Sequence, residues 1–158
     1  MAVEIERKFL LASDAWRAAA QPGVRMLQGY FAQASGVPSV RIRIAGKRAF
    51  LTVKGQLRNF SRSEFEYEIP VVDANAMLRE FCEGRYVEKF RFLVPFEGFV
   101  WEVDEYLGDN AGLFTAELEL EDENTRFPLP PWLGKEVTGD RRYGNGSLSR
   151  NPYRKWGR

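Results

Sequence analysis

The stretch Val3-Glu4-Ile5-Glu6-Arg7-Lys8-Phe9 decides how the rest of the chain is read. With a period of two it puts Val3, Ile5 and, past the break at Arg7, Phe9 on one face, and Glu4, Glu6 and Lys8 on the other. One charged strand face is ordinary, because a half-buried antiparallel strand has a wet side. Here the same alternation returns on most later strands, with both charge signs.

Working outward, Arg25 to about Gln33 predicts a second strand, with Ser35-Gly36 as a turn. The run Ser39 to Ile44 alternates Val40, Ile42 and Ile44 against Arg41 and Arg43. Past a hairpin turn at Ala45-Gly46-Lys47, Ala49 to Lys54 sets Leu51 and Val53 against Thr52 and Lys54. Arg62 to Ile69 sets Phe65, Tyr67 and Ile69 against Glu64, Glu66 and Glu68. Arg85 to Val94 carries Lys89 and Arg91 opposite Phe90 and Phe92. Gly98 to Tyr106 carries Glu102 and Asp104 opposite Trp101 and Val103. Phe114 to about Asp122 carries Glu117, Glu119 and Glu121 opposite Ala116, Leu118 and Leu120.

Two helices are expected. Ser13 is placed to cap a short one over Asp14 to Ala20, and Asp73 to cap one over Ala74 to Cys82 with Met77, Leu78, Phe81 and Cys82 as its apolar stripe. Pro128 to Pro131 breaks regular structure. Trp132 to Val137 reads as a short helix, Asp140 to Tyr143 as the start of another, and the last stretch as poor helix and poor strand. The order repeats coarsely: an E-x-E strand, a helix and three strands, twice over, without residue-level identity between the halves. The fold expected is α+β: an eight-stranded antiparallel β-barrel with flanking helices and a C-terminal helical segment, one domain over residues 1–158.

Bulk properties narrow the function. A net charge of +1 gives no general pull toward nucleic acid or a membrane surface. No apolar run is long enough to span a bilayer, and Glu4 and Glu6 stand where a secretory leader would be apolar. The single cysteine, Cys82, excludes an internal disulfide and fits a reducing, cytoplasmic setting. The absence of histidine removes Ser-His-Asp and Cys-His chemistry and the imidazole zinc site. A metal in this chain would sit among oxygens, which favours Mg²⁺, Mn²⁺ or Ca²⁺.

Alternating charge commonly marks only the solvent face of a sheet packed on helices. Two features argue for an interior instead. The apolar faces are richer in Phe, Trp, Ile and Val than two short helices could cover, so a barrel with its apolar side outward and its polar side inward uses them better. The signs are also segregated: Arg41/Arg43, Lys54 and Lys89/Arg91 are cationic, whereas Glu4/Glu6, Glu64/Glu66, Glu102/Asp104 and Glu117/Glu119 are acidic. Crowded carboxylates tolerate one another when a divalent cation or basic groups sit among them. Arg and Lys grip phosphate oxygens, and Mg²⁺ or Mn²⁺ bridges carboxylate to phosphate, so the pattern points to a polyphosphate.

In chain order the motifs are E-x-E-x-K at Glu4, Glu6 and Lys8, R-x-R at Arg41 and Arg43, T-x-K at Thr52 and Lys54, and E-x-E at Glu64 and Glu66. K-x-R at Lys89 and Arg91, E-x-D at Glu102 and Asp104, and E-x-E at Glu117 and Glu119 follow. In this the sequence resembles the CYTH superfamily, the triphosphate tunnel metalloenzymes, over nearly its whole length, and in its compactness the small bacterial inorganic triphosphatase-like members. The resemblance implies a tunnel binding a triphosphate with Mg²⁺ or Mn²⁺. It implies that Lys8, Arg41, Arg43, Lys54, Lys89 and Arg91 hold the phosphates. Glu117 and Glu119 would hold the main metal with Asp104 near it, and Glu4 and Glu6 a second metal or the attacking water. Lys8 and Lys54 are counted with Glu4 and Glu6 as the catalytic group, and Glu64, Glu66 and Glu102 as supporting. It also implies a C-terminal plug, for which Arg141, Arg142 and Tyr143 are candidates.

The leading expectation is a metal-dependent hydrolase of inorganic triphosphate (tripolyphosphate), giving pyrophosphate and phosphate. The alternatives are a thiamine triphosphatase or other organic triphosphatase, a CYTH-type adenylate cyclase, and a polyphosphate-binding module without turnover. A thiamine site needs an aromatic shelf; Trp101, Tyr30 and Phe31 are candidates, with core packing the commoner role for each. Outward apolar faces leave room for a homodimer.

Overall fold

The computed structural model describes residues 3–32 and 37–157. Its strands are β1 (Val3–Leu11), β2 (Val24–Tyr30), β3 (Ser39–Ala45), β4 (Arg48–Lys54), β5 (Ser61–Ile69), β6 (Tyr86–Phe96), β7 (Phe99–Tyr106), β8 (Phe114–Glu119) and β9 (Leu133–Glu136). The helices are α1 (Val71–Phe81) and α2 (Asn145–Arg150), with short 3-10 turns, among them Ala15–Ala19 and Arg141–Tyr143. Eight strands close a ring in the order β1-β5-β4-β3-β2-β6-β7-β8 and back to β1, every pair antiparallel. Closure removes the open edges that an eight-stranded sheet would otherwise expose.

The coarse repeat has a structural counterpart. Exchanging β1 with β5, β2 with β6, β3 with β7 and β4 with β8 leaves the set of neighbouring strands unchanged. Ring order also sets β3 and β4 diametrically across from β7 and β8. Partners in register share a face. Arg41 stands beside Thr52 and Thr52 beside Glu66; Arg91 beside Asp104; Glu102 beside Glu117; Lys8 beside Glu117 and Glu6 beside Glu119. That shared face is the lumen.

The opposite faces are packed from outside. α1 lies over β2 to β4, where Ala74, Leu78 and Cys82 meet Ile42 and Ala49. Gly29 permits this seating, because a Cβ there would come within 2.6 Å of Leu78 and 2.7 Å of Cys82. Trp16 and Trp132 cover Phe9, Val94, Trp101, Val103, Ala116 and Leu118 on the other side. The outer face of β5 has no such cover: Phe65 is 47% and Tyr67 60% exposed. A third cluster differs in kind, because Tyr30, Val87 and Tyr106 have lumen parity. At that end of the barrel the lumen residues turn apolar, and Tyr143 and Leu148 from the C-terminal segment fill the space.

Several local expectations are corrected. α1 begins at Val71, not after Asp73: Pro70 is the N-cap and its carbonyl accepts from the Ala74 N–H, while Asp73 falls in the first turn, where its charge suits the helix dipole. Phe81 is half-exposed rather than core, stacked on Phe31 at 5.3 Å. The segment around Ser13 makes only a five-residue 3-10 turn, with the Ser13 hydroxyl accepting from Ala15 N–H. Leu133–Glu136 is a strand, not a helix. β5 pairs only with Val3 to Ile5 of β1, so the rest of that edge is unsatisfied until β9 pairs with it at Phe9 and Leu11. The final stretch, read as poor helix, holds α2 and a 3-10 turn at Tyr153–Lys155. Gln33 and the Ser35-Gly36 turn lie outside the described residues.

Candidate active site

All fourteen sequence-predicted site residues have lumen parity, and strand register groups them. On the β3–β4 wall, Arg41 Nη2 donates to Thr52 Oγ1 at 3.0 Å and to Glu66 Oε2 at 3.1 Å, and the Thr52 hydroxyl donates to the same carboxylate at 2.8 Å. Arg43 Nε donates to Gln28 Oε1 at 2.9 Å, and the Gln28 amide donates to Tyr30 Oη at 2.7 Å. Arg43 has no carboxylate partner among the described residues. Burial, with Arg41 and Arg91 near, lowers its pKa to about 10. These bonds hold two guanidinium groups rigidly without neutralising both, which suits them to an incoming anion.

Toward the open mouth, Lys54 Nζ donates to both Glu4 oxygens, at 2.9 and 3.2 Å, and lies 3.4 Å from Glu64. Arg62 Nε donates to Glu4 Oε1 at 3.2 Å. Burial alone would raise the Glu4 carboxyl, but Lys54 and Arg62 hold it at about 2.

The β7–β8 wall is acidic and is faced by β6. Asp104 accepts a fork from Arg91, at 2.8 and 2.9 Å, and a third bond from Lys89 Nζ at 2.7 Å. Lys89 is fully buried, and burial, aided by Arg91 and Arg43 and opposed by Asp104, brings its pKa down to about 7. Glu102 lies 3.3 Å from Arg91. Glu117 lies 3.8 Å from Lys8 and 3.7 Å from Arg91, and its buried Oε1 has no hydrogen-bond partner among the described residues.

The carboxylates perturb one another across the lumen. Burial and the neighbouring Glu117 push the Glu6 carboxyl well above its ordinary range; Lys8 and Arg91 hold Glu117 well below it. Glu119 is pushed up by burial and by Glu4, Glu64 and Glu102. Among the described residues no three carboxylates are drawn together as a ready-made cation site. Yet the crowding of Glu4, Glu6, Glu117 and Glu119, with one orphaned oxygen among them, is the repulsion a hard divalent cation relieves. Both oxygens of Glu4 are engaged by Lys54 and Arg62, and both oxygens of Asp104 by Arg91 and Lys89.

At the filled end, Lys8 Nζ donates to the Tyr143 carbonyl at 3.0 Å, and Asn145 Oδ1 accepts from Tyr106 Oη at 3.0 Å and from Lys89 Nζ at 3.4 Å. Of the three plug candidates, Tyr143 is buried in the plug, whereas Arg141 and Arg142 are exposed and Arg142 is tied to Asp140.

A family match to the CYTH domain spans residues 2–151. The chain belongs to the CYTH family. Among CYTH relatives, an inorganic triphosphatase of Acetivibrio thermocellus is 50% identical over 154 residues, covering 98% of this chain and 97% of that protein. An inorganic triphosphatase of Nitrosomonas europaea is 37% identical over 150 residues, covering 92% and 96%. The crystal structure of the inorganic triphosphatase NE1496 superposes with a TM-score of 0.65 at 34% identity, covering 94% of this chain and 95% of that one. The eight-stranded antiparallel barrel read from the sequence is therefore the CYTH tunnel fold.

The aromatic shelf does not form as a set. Trp101 lies in the outer core against Phe9 and Trp132, and Phe31 packs on Phe81; Tyr30 alone of the three has lumen parity. Sequence reasoning passed over Gln28, Arg62, Tyr106 and Asn145. Gln28 was visible as the polar residue on the same face as Met26 and Tyr30, and Arg62 shares the parity of Glu64 and Glu66. Nothing local marks Asn145, which reaches the lumen from a helix.

Proposed function

We propose that this CYTH chain hydrolyses inorganic triphosphate to pyrophosphate and phosphate, with Mg²⁺ or Mn²⁺ as its cofactor, in the cytoplasm. The observation that carries this reading is a basic β3–β4 wall across the barrel from an acidic β7–β8 one, with one end filled. Lys8, Arg41, Arg43, Lys54, Lys89 and Arg91 bind the phosphate oxygens. Glu4, Glu6, Glu117 and Glu119 hold the metal, and Asp104 serves beside them by fixing Arg91 and Lys89. When bound, the metal supplies Lewis-acid stabilisation of the phosphates and a more acidic water. Arg41 and Arg43, held by Thr52, Glu66 and Gln28, meet the charge that spreads over the transferring group without reorganising. Water attacks the terminal phosphorus in line as the bond to the bridging oxygen breaks; the water's proton passes to a lumen carboxylate or to a phosphate oxygen, and the lumen cations offset the charge that gathers on the leaving pyrophosphate. The missing shelf weakens the thiamine triphosphate reading. A second copy of the chain would find Phe65 and Tyr67 exposed on β5.

The test is a substrate panel of tripolyphosphate, pyrophosphate, ATP and thiamine triphosphate, each with Mg²⁺ and Mn²⁺. Preferred release of phosphate from tripolyphosphate is expected. Little release from it, with ready cleavage of an organic triphosphate, overturns the proposal.

A further inference from the structure

The segment after β9 does more than fill one end of the barrel. It aims polar atoms at two of the lumen cations. The Tyr143 carbonyl meets Lys8 Nζ at 3.0 Å, and the Asn145 side chain meets Lys89 Nζ at 3.4 Å and Tyr106 Oη at 3.0 Å. An ammonium only donates, so the atom of Asn145 that faces Lys89 is the oxygen, and its amide nitrogen points elsewhere.

Lys89 needs that oxygen. Its charge is fully buried, the Tyr106 ring lies 5.5 Å from it, and its other hydrogen-bond partner is Asp104 at 2.7 Å. Asp104 is also forked by Arg91, so with Asp104 alone the ammonium would be drawn wholly to the acidic wall. Asn145 supplies a neutral counter-pull from the barrel axis. Its own position is set by packing: it opens α2, whose Leu148 is buried with Tyr30, Val87 and Tyr143.

We infer that Asn145 is a positioning residue for triphosphate hydrolysis, its side-chain oxygen fixing the Lys89 ammonium and the Tyr106 hydroxyl at the closed end of the lumen. The terminal helix is then part of the active site. This rests on the triphosphatase reading above.

The test uses the full chain as wild type, N145A, N145Q and L78A, assayed on tripolyphosphate with Mg²⁺ well below the thermal midpoint measured for each. Loss of a hydrogen bond to a charged group predicts that N145A lowers kcat/KM about ten- to a hundredfold. N145Q keeps a neutral amide oxygen and is expected to recover most of that loss. L78A, in the outer cluster beneath α1, removes packing and no polar side-chain contact; it is expected to lose several degrees of midpoint but remain within about threefold in kcat/KM. The assignment is overturned if N145A is as active as wild type within threefold. It is equally overturned if N145Q is as weak as N145A, or if L78A loses as much activity as N145A. A wild type that leaves tripolyphosphate intact overturns the triphosphatase reading, and the assignment with it.

Discussion

Glu4 offers a measurement of how strongly the lumen holds one of its own charges. Its carboxyl is buried between Lys54 and Arg62 and titrates at about 2 instead of the ordinary 4.5. The gap is about 2.5 pH units, and at about 1.36 kcal/mol each it corresponds to about 3 kcal/mol of folding stability. The sign follows from proton counts. Between pH 2 and 4.5 the unfolded chain binds the proton more tightly than the folded one, so the contribution is complete above about pH 4.5, roughly halved near pH 3.2, and gone below about pH 2. Glu4→Gln removes the charge and leaves a neutral amide. Part of the loss is offset because Glu64, whose carboxyl burial and Glu4 both push up, relaxes when that neighbour is neutral. A net destabilisation of about 2–3 kcal/mol at pH 7 is expected, or about 4–12 °C in thermal midpoint for a chain of this size. The assay is isothermal urea unfolding of wild type and Glu4→Gln from pH 7 to pH 3, with chelator present to keep the carboxylates free of metal. The difference between the two proteins should shrink as pH falls below about 4.5. A difference that is constant across this range, or below about 0.5 kcal/mol at pH 7, refutes the claim that Lys54 and Arg62 grip an ionised Glu4.

Two further outcomes are expected. Because burial and Glu117 push the Glu6 carboxyl up, a cation held beside it should release protons over the range in which Glu6 titrates; titration calorimetry with Mg²⁺ from pH 8 to pH 5, in buffers of different ionisation enthalpy, will show a buffer-dependent heat that grows as pH falls, and apparent affinity will weaken with it. Leu78→Ala, beneath α1 and remote from the lumen, should cost about 2–5 kcal/mol in denaturant unfolding while kcat/KM at low temperature stays within about twofold.

The barrel was legible because each strand writes its two faces in alternation, and Arg41, Arg43, Glu64, Glu66, Glu102 and Asp104 all obey that parity. What was not legible depends on partners far away in the chain. Leu133–Glu136 carries a weak local signal and becomes a strand only because β5 leaves half of the β1 edge unpaired. The start of α1 was misread by three residues because Asp73 is a good cap by type, whereas the backbone is already turned at Pro70. The cations that meet Asp104, Arg91 and Lys89, come from the neighbouring strand, and only strand register pairs them with it. Asn145 is recognisable only once α2 is docked.

The exchange that leaves the ring order intact maps the arginine strand β3 onto the Glu102/Asp104 strand β7, and β4 onto the Glu117/Glu119 strand β8. A shell assembled from two copies of the first half alone would therefore set one basic β3–β4 wall against another, and two copies of the second half would set one acidic β7–β8 wall against another. The present chain faces a basic wall with an acidic one because its halves agree in connectivity and differ in sign on those strands.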